Sequence, residues 1–239
     1  MMLWAMLAVM SASAATIKIP LTASDGVALA ATYHATVSAP AAAIVLLPML
    51  GGSRRDWEPF AVKAASAGIA VLSLDPRGHG DSANPYGQDP GDWDKERWRE
   101  ADRDPAAAVA WLESRGVAPS TIFIGGASIG ASMAFRRAAS DPRLGGAALI
   151  SPGDNPKRVP VSESVAAYAR RPLFIASAAD DPTFDAIAGR LASSVAGPVE
   201  RLRFNTGGHG TAILADPLSG PALAAGLLDW MAKTARSAP

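Results

Sequence analysis

From residue 16 onward, short apolar runs rich in β-formers alternate with longer stretches of helical spacing, and this alternation constrains the fold more than any other feature. Runs at residues 16–21 and 28–34 come first, too close together for a helix between them. Further runs follow at 43–47, 70–74, 121–125, 147–151, 173–177 and 199–204. Helical stretches lie at 56–67, 98–115, 129–140, 182–194 and 219–235. Parallel strands need a crossover of a dozen residues or more, and a helix is the usual crossover. The order therefore predicts an α/β fold: a mostly parallel eight-stranded sheet with helices on both faces, opened by an antiparallel hairpin. No internal repeat is present, and residues 16–239 are expected to form one domain.

The residues before that pattern are of another kind. Residues 1–15 read MMLWAMLAVMSASAA, an apolar run followed by small residues ending in Ala12-Ser13-Ala14. This is the pattern of a secretory signal peptide with an A-x-A cleavage site, although no Lys or Arg precedes the apolar run and the first cation is Lys18. The run falls short of the ~20 residues that a spanning helix needs, so no stable membrane anchor is expected. With no cysteine in the chain, lipid attachment there is also excluded. Export to the periplasm or the exterior is the expectation.

Composition then narrows the chemistry. Lys and Arg number 22 against 22 Asp and Glu, with no long basic run, so nothing prepares the chain for nucleic acid. The absence of cysteine excludes disulfides, a thiol nucleophile and thiolate metal sites. Three scattered histidines leave little for a metal, and neither metal nor cofactor is expected. Hydroxyl, imidazole and carboxylate groups are left to carry any reaction.

One turn gathers such a hydroxyl. An apolar strand at 121–125 runs into Gly126-Ala127-Ser128-Ile129-Gly130 and then into a helix, which is G-x-S-x-G in a strand, turn, helix context. In a chain with 22 glycines the bare pattern is unspecific, and a glycine-rich β–α turn with a serine cap would produce it too. The partners downstream give it weight. A serine nucleophile needs a base, and the base an orienting acid. Asp180 and Asp181 follow the strand at 173–177, and His209 follows the strand at 199–204, between Gly208 and Gly210. Serine, acid, histidine is the chain order of an α/β-hydrolase triad. His34, in an early strand, reads as a surface residue, and His79 is far from the acid in sequence.

The chain thus resembles the α/β-hydrolase superfamily, in particular small lidless serine hydrolases similar to dienelactone hydrolase-like carboxylesterases, over nearly all of its mature length. Asp75-Pro-Arg-Gly-His-Gly-Asp-Ser82 is similar to the family's D-x-R-G-H-G-x-S turn, which is structural there. The loop Leu47-Pro48-Met49-Leu50-Gly51-Gly52 corresponds to the family's H-G loop, with Pro48 and Met49 where His and Gly are usual. The resemblance implies that the backbone N–H groups of Leu50 and Ile129 form an oxyanion hole. It also implies that Asp181, directly before Pro182, is the acid, with Asp180 solvated or capping the next helix. Dienelactone hydrolases use cysteine, so Ser128 implies ester cleavage of the carboxylesterase kind.

The expected function is hydrolysis of small or short-acyl esters through an acyl-enzyme on Ser128. Acyl transfer or amide cleavage with the same triad, and a catalytically silent binding protein on this fold, are the alternatives. A lid, where such proteins carry one, falls between Ser151 and Pro172, a segment with room for one short helix. The charged stretch 89–104 reads as a solvated helix face over packed Trp93 and Trp98, and Arg54 and Arg55 as a pair that caps or solvates a helix, the alternative being recognition of an anionic substrate. Protein recovered from its native host is expected to begin at Ala15 or Thr16 and to lie outside the cytoplasm. N-terminal sequencing that finds Met1 intact would contradict this.

Overall fold

The computed structural model of the chain describes residues 15–237, so the leader read at 1–15 lies outside the described residues except for Ala15. Eight strands form one sheet: β1 (Thr16–Thr22), β2 (Ala28–His34), β3 (Ala42–Leu47), β4 (Ile69–Asp75), β5 (Ile122–Ala127), β6 (Gly146–Ile150), β7 (Leu173–Ala178) and β8 (Val199–Phe204). Their spatial order is β1-β2-β4-β3-β5-β6-β7-β8. The pairs β1·β2 and β2·β4 are antiparallel, and all the others are parallel. The helices are α1 (Glu58–Ser66), α2 (Lys95–Glu100), α3 (Arg103–Ser114), α4 (Ile129–Ser140), α5 (Val165–Tyr168), α6 (Pro182–Ser194), α7 (Ala212–Ala215) and α8 (Gly220–Arg236).

Successive side chains on a strand point to opposite faces, and the sheet uses both. In β3, Ala43, Val45 and Leu47 join the core under α3, α4 and α6, whereas Ala42, Ile44 and Leu46 join the core under α1 and α8. The same split runs through β4, with Leu72 on one side and Val71 on the other, and through β7, with Ile175 and Phe174. Burial on both faces explains why these strands are continuous apolar runs rather than alternating ones.

Two expectations need correction. The single helix read at 98–115 starts earlier, at Lys95, and breaks between Glu100 and Arg103. Pro105 has no N–H to give to Ala101, so a continuous helix would lose that bond and clash; the chain restarts with Pro105 in the first turn of α3, where no such bond is needed. His34 is not on the surface. Its strand pairs on both sides, with β1 and β4, and its side chain is 2% exposed, between Thr16 Oγ1 at 3.1 Å and Glu58 at 3.4 Å. The segment from Ser151 to Pro172 holds only a 3₁₀ turn (Val161–Ser164) and α5, and no lid covers the sheet edge.

The turn after β4 is a buried polar knot. Asp75, fully buried, accepts hydrogen bonds from the backbone N–H groups of Arg54 (2.6 Å) and Asp81 (2.9 Å) and pairs with the Arg54 guanidinium. The Arg77 guanidinium is buried too, held between Asp104 (2.7 Å) and Asp25 (2.8 Å). Buried charges of this kind are tolerable only when paired and hydrogen-bonded. His79 packs beside Trp98, with Nδ1 3.1 Å from the Arg77 carbonyl and Nε2 without a partner among the described residues.

Burial holds the His79 imidazole neutral and lowers its pKa from 6.5, against the weaker pull of the Arg77 carbonyl, Asp75 and Asp89. Between that lowered value and 6.5 the unfolded chain binds a proton that the folded chain refuses, so stability rises with pH there. The contribution is present above 6.5 and lost as pH falls. His34 shifts in the same direction, again through burial and against Glu58. Denaturant titrations between about pH 7.5 and about pH 5 are expected to show stability falling toward acid, with a shallower slope in His79→Gln. An unchanged slope in that variant would show that His79 does not contribute.

Candidate active site

The parallel register brings one set of strand ends together. Leu47 lies beside Gly126, Ala127 beside Ile150, and Ala178 beside Phe204. The segments leaving β3, β5, β6, β7 and β8 therefore emerge along a single edge, where an open α/β sheet places its ligands.

Ser128 stands between β5 and α4 with φ 53° and ψ −118°, a conformation that few non-glycine residues adopt. It is fixed from both sides: its N–H donates to the Ile150 carbonyl (2.9 Å), and its carbonyl accepts from Ser132 N–H (3.1 Å). The flanking glycines are required by close approach. A Cβ on Gly126 would lie 2.5 Å from the Gly130 carbonyl carbon, and one on Gly130 would lie 2.3 Å from the Pro48 carbonyl oxygen. Strand, elbow and helix thus pack backbone to backbone, with Ser128 Oγ directed out of the turn.

His209 Nε2 lies 2.7 Å from Ser128 Oγ, and its Nδ1 lies 2.7 Å from Asp181 Oδ2. A carboxylate only accepts, so the ring proton sits on Nδ1, and Nε2 is the acceptor for the serine hydroxyl. Asp181 occupies the N-cap position of α6 but makes no capping bond with its side chain, which is turned to the imidazole instead. Asp180 neither caps nor is merely solvated: its carboxylate accepts from Gly207 N–H (3.1 Å) and Gly208 N–H (3.1 Å). The Phe184 ring lies 4.1 Å from the imidazole, centroid to centroid.

The Ile129 N–H is at the first turn of α4, where helix amides have no intrahelical acceptor. Leu50 follows β3 in a turn closed by the Gly52 N–H on the Met49 carbonyl (2.9 Å). Among the described residues neither the Ile129 nor the Leu50 amide donates to a backbone carbonyl. The contact of Gly130 with the Leu47 and Pro48 carbonyls holds the β3 loop against the start of α4.

Other residues singled out in the sequence lie apart from this edge or serve it indirectly. Arg54 is buried on Asp75 and Asp81, and Arg55 is exposed and also paired with Asp81, so neither is a free cation for an anionic substrate. Trp93 and Trp98 are buried and pack against each other at a tilt. Among the described residues no group of three or more His, Asp or Glu side chains gathers as a metal site. Sequence reasoning missed Phe184, Ser132 and Ser151 at the site. Only Ser132 carried a signal, four residues after Ser128 and so on the same helix face.

A mostly parallel sheet with a serine elbow after one strand, and an acid and a histidine after later ones in that chain order, is the α/β-hydrolase arrangement. The model for the family described as serine aminopeptidase, S33 matches residues 38–186, more than half of the chain, and the protein belongs to this family of hydrolases. Solved structures share the fold at low sequence identity. The Pyrococcus furiosus esterase Pf2001 aligns over 97% of this chain and 95% of its own, with 18% identity and a TM-score of 0.71. Acetyl xylan esterase 1 from Thermoanaerobacterium aligns over 96% and 86%, with 15% identity and 0.73. Dienelactone hydrolase from Anabaena variabilis aligns over 91% and 97%, with 14% identity and 0.69. No curated protein sequence matches the chain.

In an unobstructed helix, Gly→Ala stabilises by about 1 kcal/mol. Gly130→Ala is expected to do the reverse and cost about 1–3 kcal/mol in denaturant titrations, because the obstructing atoms belong to the backbone carbonyls of Leu47 and Pro48. A stabilised variant would show that the β3 loop yields freely.

Proposed function

We propose that the protein is an exported serine esterase acting on small or short-acyl carboxylic esters. The observation that carries this reading is the unbroken line of hydrogen bonds from Ser128 Oγ through His209 to Asp181, at 2.7 Å and 2.7 Å. As Oγ attacks the ester carbon, Nε2 takes its proton, and Asp181 stabilises the imidazolium and holds its tautomer. The Ile129 and Leu50 amides receive the charge that develops on the carbonyl oxygen, helped by the positive end of the α4 dipole. His209 then returns the proton to the leaving alcohol. A water, deprotonated by the same nitrogen, attacks the acyl carbon; the bond to Oγ breaks, the carboxylic acid leaves, and His209 returns the proton to Ser128 Oγ.

The lidless edge supports a small, freely entering substrate, and the fold is shared with proteins named as esterases. Phe184 and Leu50 would line its entry. The family's description favours a second reading, in which the same serine attacks an amide and the histidine protonates an amine. Aminoacyl p-nitroanilides tested beside p-nitrophenyl acetate and butyrate separate the two.

With the favoured ester, Ser128→Ala is expected to lose roughly 10³-fold or more in kcat with the fold intact. Asp181→Asn is expected to lose roughly 10²- to 10⁴-fold, because an amide cannot hold the tautomer or the charge. Undiminished turnover in Ser128→Ala would remove the nucleophile assignment.

A further inference from the structure

The base of the proposed triad sits on the least constrained kind of backbone. His209 lies in a loop, between β8 and α7, that takes positive φ at Gly207 (135°), Gly208 (69°) and Gly210 (61°). Glycine gives up more conformational freedom on ordering than any other residue, so such a loop does not hold a geometry by itself. Yet both ring nitrogens sit at hydrogen-bond distance from their partners.

Two side chains outside the Ser128–His209–Asp181 line bond to the amides of this loop. On the N-terminal side, the two carboxylate oxygens of Asp180 take the amides of Gly207 and Gly208 at 3.1 Å each. On the C-terminal side, Ser151 Oγ accepts the Gly210 N–H at 3.1 Å. Ser151 is fully buried just past β6, and its own N–H donates to the Ala176 carbonyl of β7 (2.9 Å). It also stands at φ 49°, one of three non-glycine residues with positive φ among those described, Ser128 being another. Strained backbone of this kind persists only where the surroundings over-determine it, and it collects at functional sites.

We infer that Asp180 and Ser151 are the positioning residues of His209, clasping its loop from opposite ends so that the imidazole spans Ser128 and Asp181. The inference rests on the triad reading above. Adjacent carboxylates thereby divide the work: Asp181 holds the ring, and Asp180 holds the backbone that carries the ring. Ser151 links the loop to β6, the strand whose Ile150 carbonyl also fixes Ser128 N–H, so nucleophile and base are referred to the same piece of chain. Phe184, packed on the ring, limits its rotation but cannot fix the loop's path.

The test compares Asp180→Ala, Asp180→Asn, Ser151→Ala and Ser151→Gly with the parent, and with Ser128→Ala, on p-nitrophenyl butyrate. Misplacement by about 1 Å costs up to ~10²-fold, so Asp180→Ala and Ser151→Ala are expected to lose roughly 10- to 100-fold in kcat, with KM changed less than about threefold. Asp180→Asn keeps an amide-accepting oxygen and is expected to recover most of that loss. Ser151→Gly removes the hydroxyl while relieving the positive φ, so it serves if Ser151→Ala does not fold. The downfield proton resonance of His209 Nδ1–H, expected in the parent, should broaden or vanish in the Ala and Gly variants and persist in Asp180→Asn. A purely structural role would lower the melting temperature and leave kcat per folded molecule and this resonance unchanged. That result, or kcat within about threefold of the parent in folded Asp180→Ala and Ser151→Gly while Ser128→Ala is inactive, overturns the positioning assignment alone. Retained turnover in Ser128→Ala overturns the triad reading and this inference with it.

Discussion

The close approach of α4 to the end of β3, glycine against carbonyl oxygens, is the contact on which the site depends. It allows the elbow to turn tightly enough to lift Ser128 clear of the sheet, and it brings the Leu50 loop beside the first amide of α4. A side chain on Gly130 would separate these two groups. The positive φ of Ser128 belongs to the same constraint: the turn from strand to helix is made in one residue because no larger loop fits between the two backbones. Parallel register brings the ends of β7 and β8, and with them Asp181 and His209, to the same edge.

Beyond the edge, the buried charges sit in closed groups. Arg54 with Asp75 and Asp81, and Arg77 with Asp104 and Asp25, tie the loops after β3 and β4 to the body of the sheet. Such groups are weak evidence for stability, since desolvation offsets much of the attraction. Their effect is geometric: the first turn after the Leu50 loop is anchored through the Arg54 backbone to the fully buried Asp75. The loop proposed to bind the oxyanion is thereby held at both ends, by β3 before it and by this anchor after it.

Much of this was legible in the sequence, for physical reasons that particular residues illustrate. The central strands were most plainly so, because a strand buried on both faces is a run such as Ala42–Leu47 that a solvated helix cannot imitate. The elbow was legible because strain and close packing demand glycine at 126 and 130, and that demand is written in residue types. The break before α3 was obscured because its cause, Pro105, lies inside the periodic stretch rather than at its edge. His34 was misjudged because burial of β2 depends on a partner strand, β4, far along the chain. Asp180 stands out in the sequence only as a candidate acid, and Ser151 does not stand out at all. Each acts on a backbone amide of a distant loop, and hydrogen bonds to backbone leave no mark on the residue that receives them.

The last strand has a bearing of its own. β8 is the margin of the sheet, paired only with β7, and its side chains are half-buried or exposed where those of β5 are wholly enclosed. Ser128 is therefore rooted in an enclosed strand, and the His209 imidazole follows an edge strand of the kind that opens before the interior. Local fraying of this margin, visible as fast amide exchange in β8, would part the base from the serine while the interior remained closed. Inactivation would then run ahead of unfolding, and the working lifetime of such a molecule would be set at its rim rather than in its core.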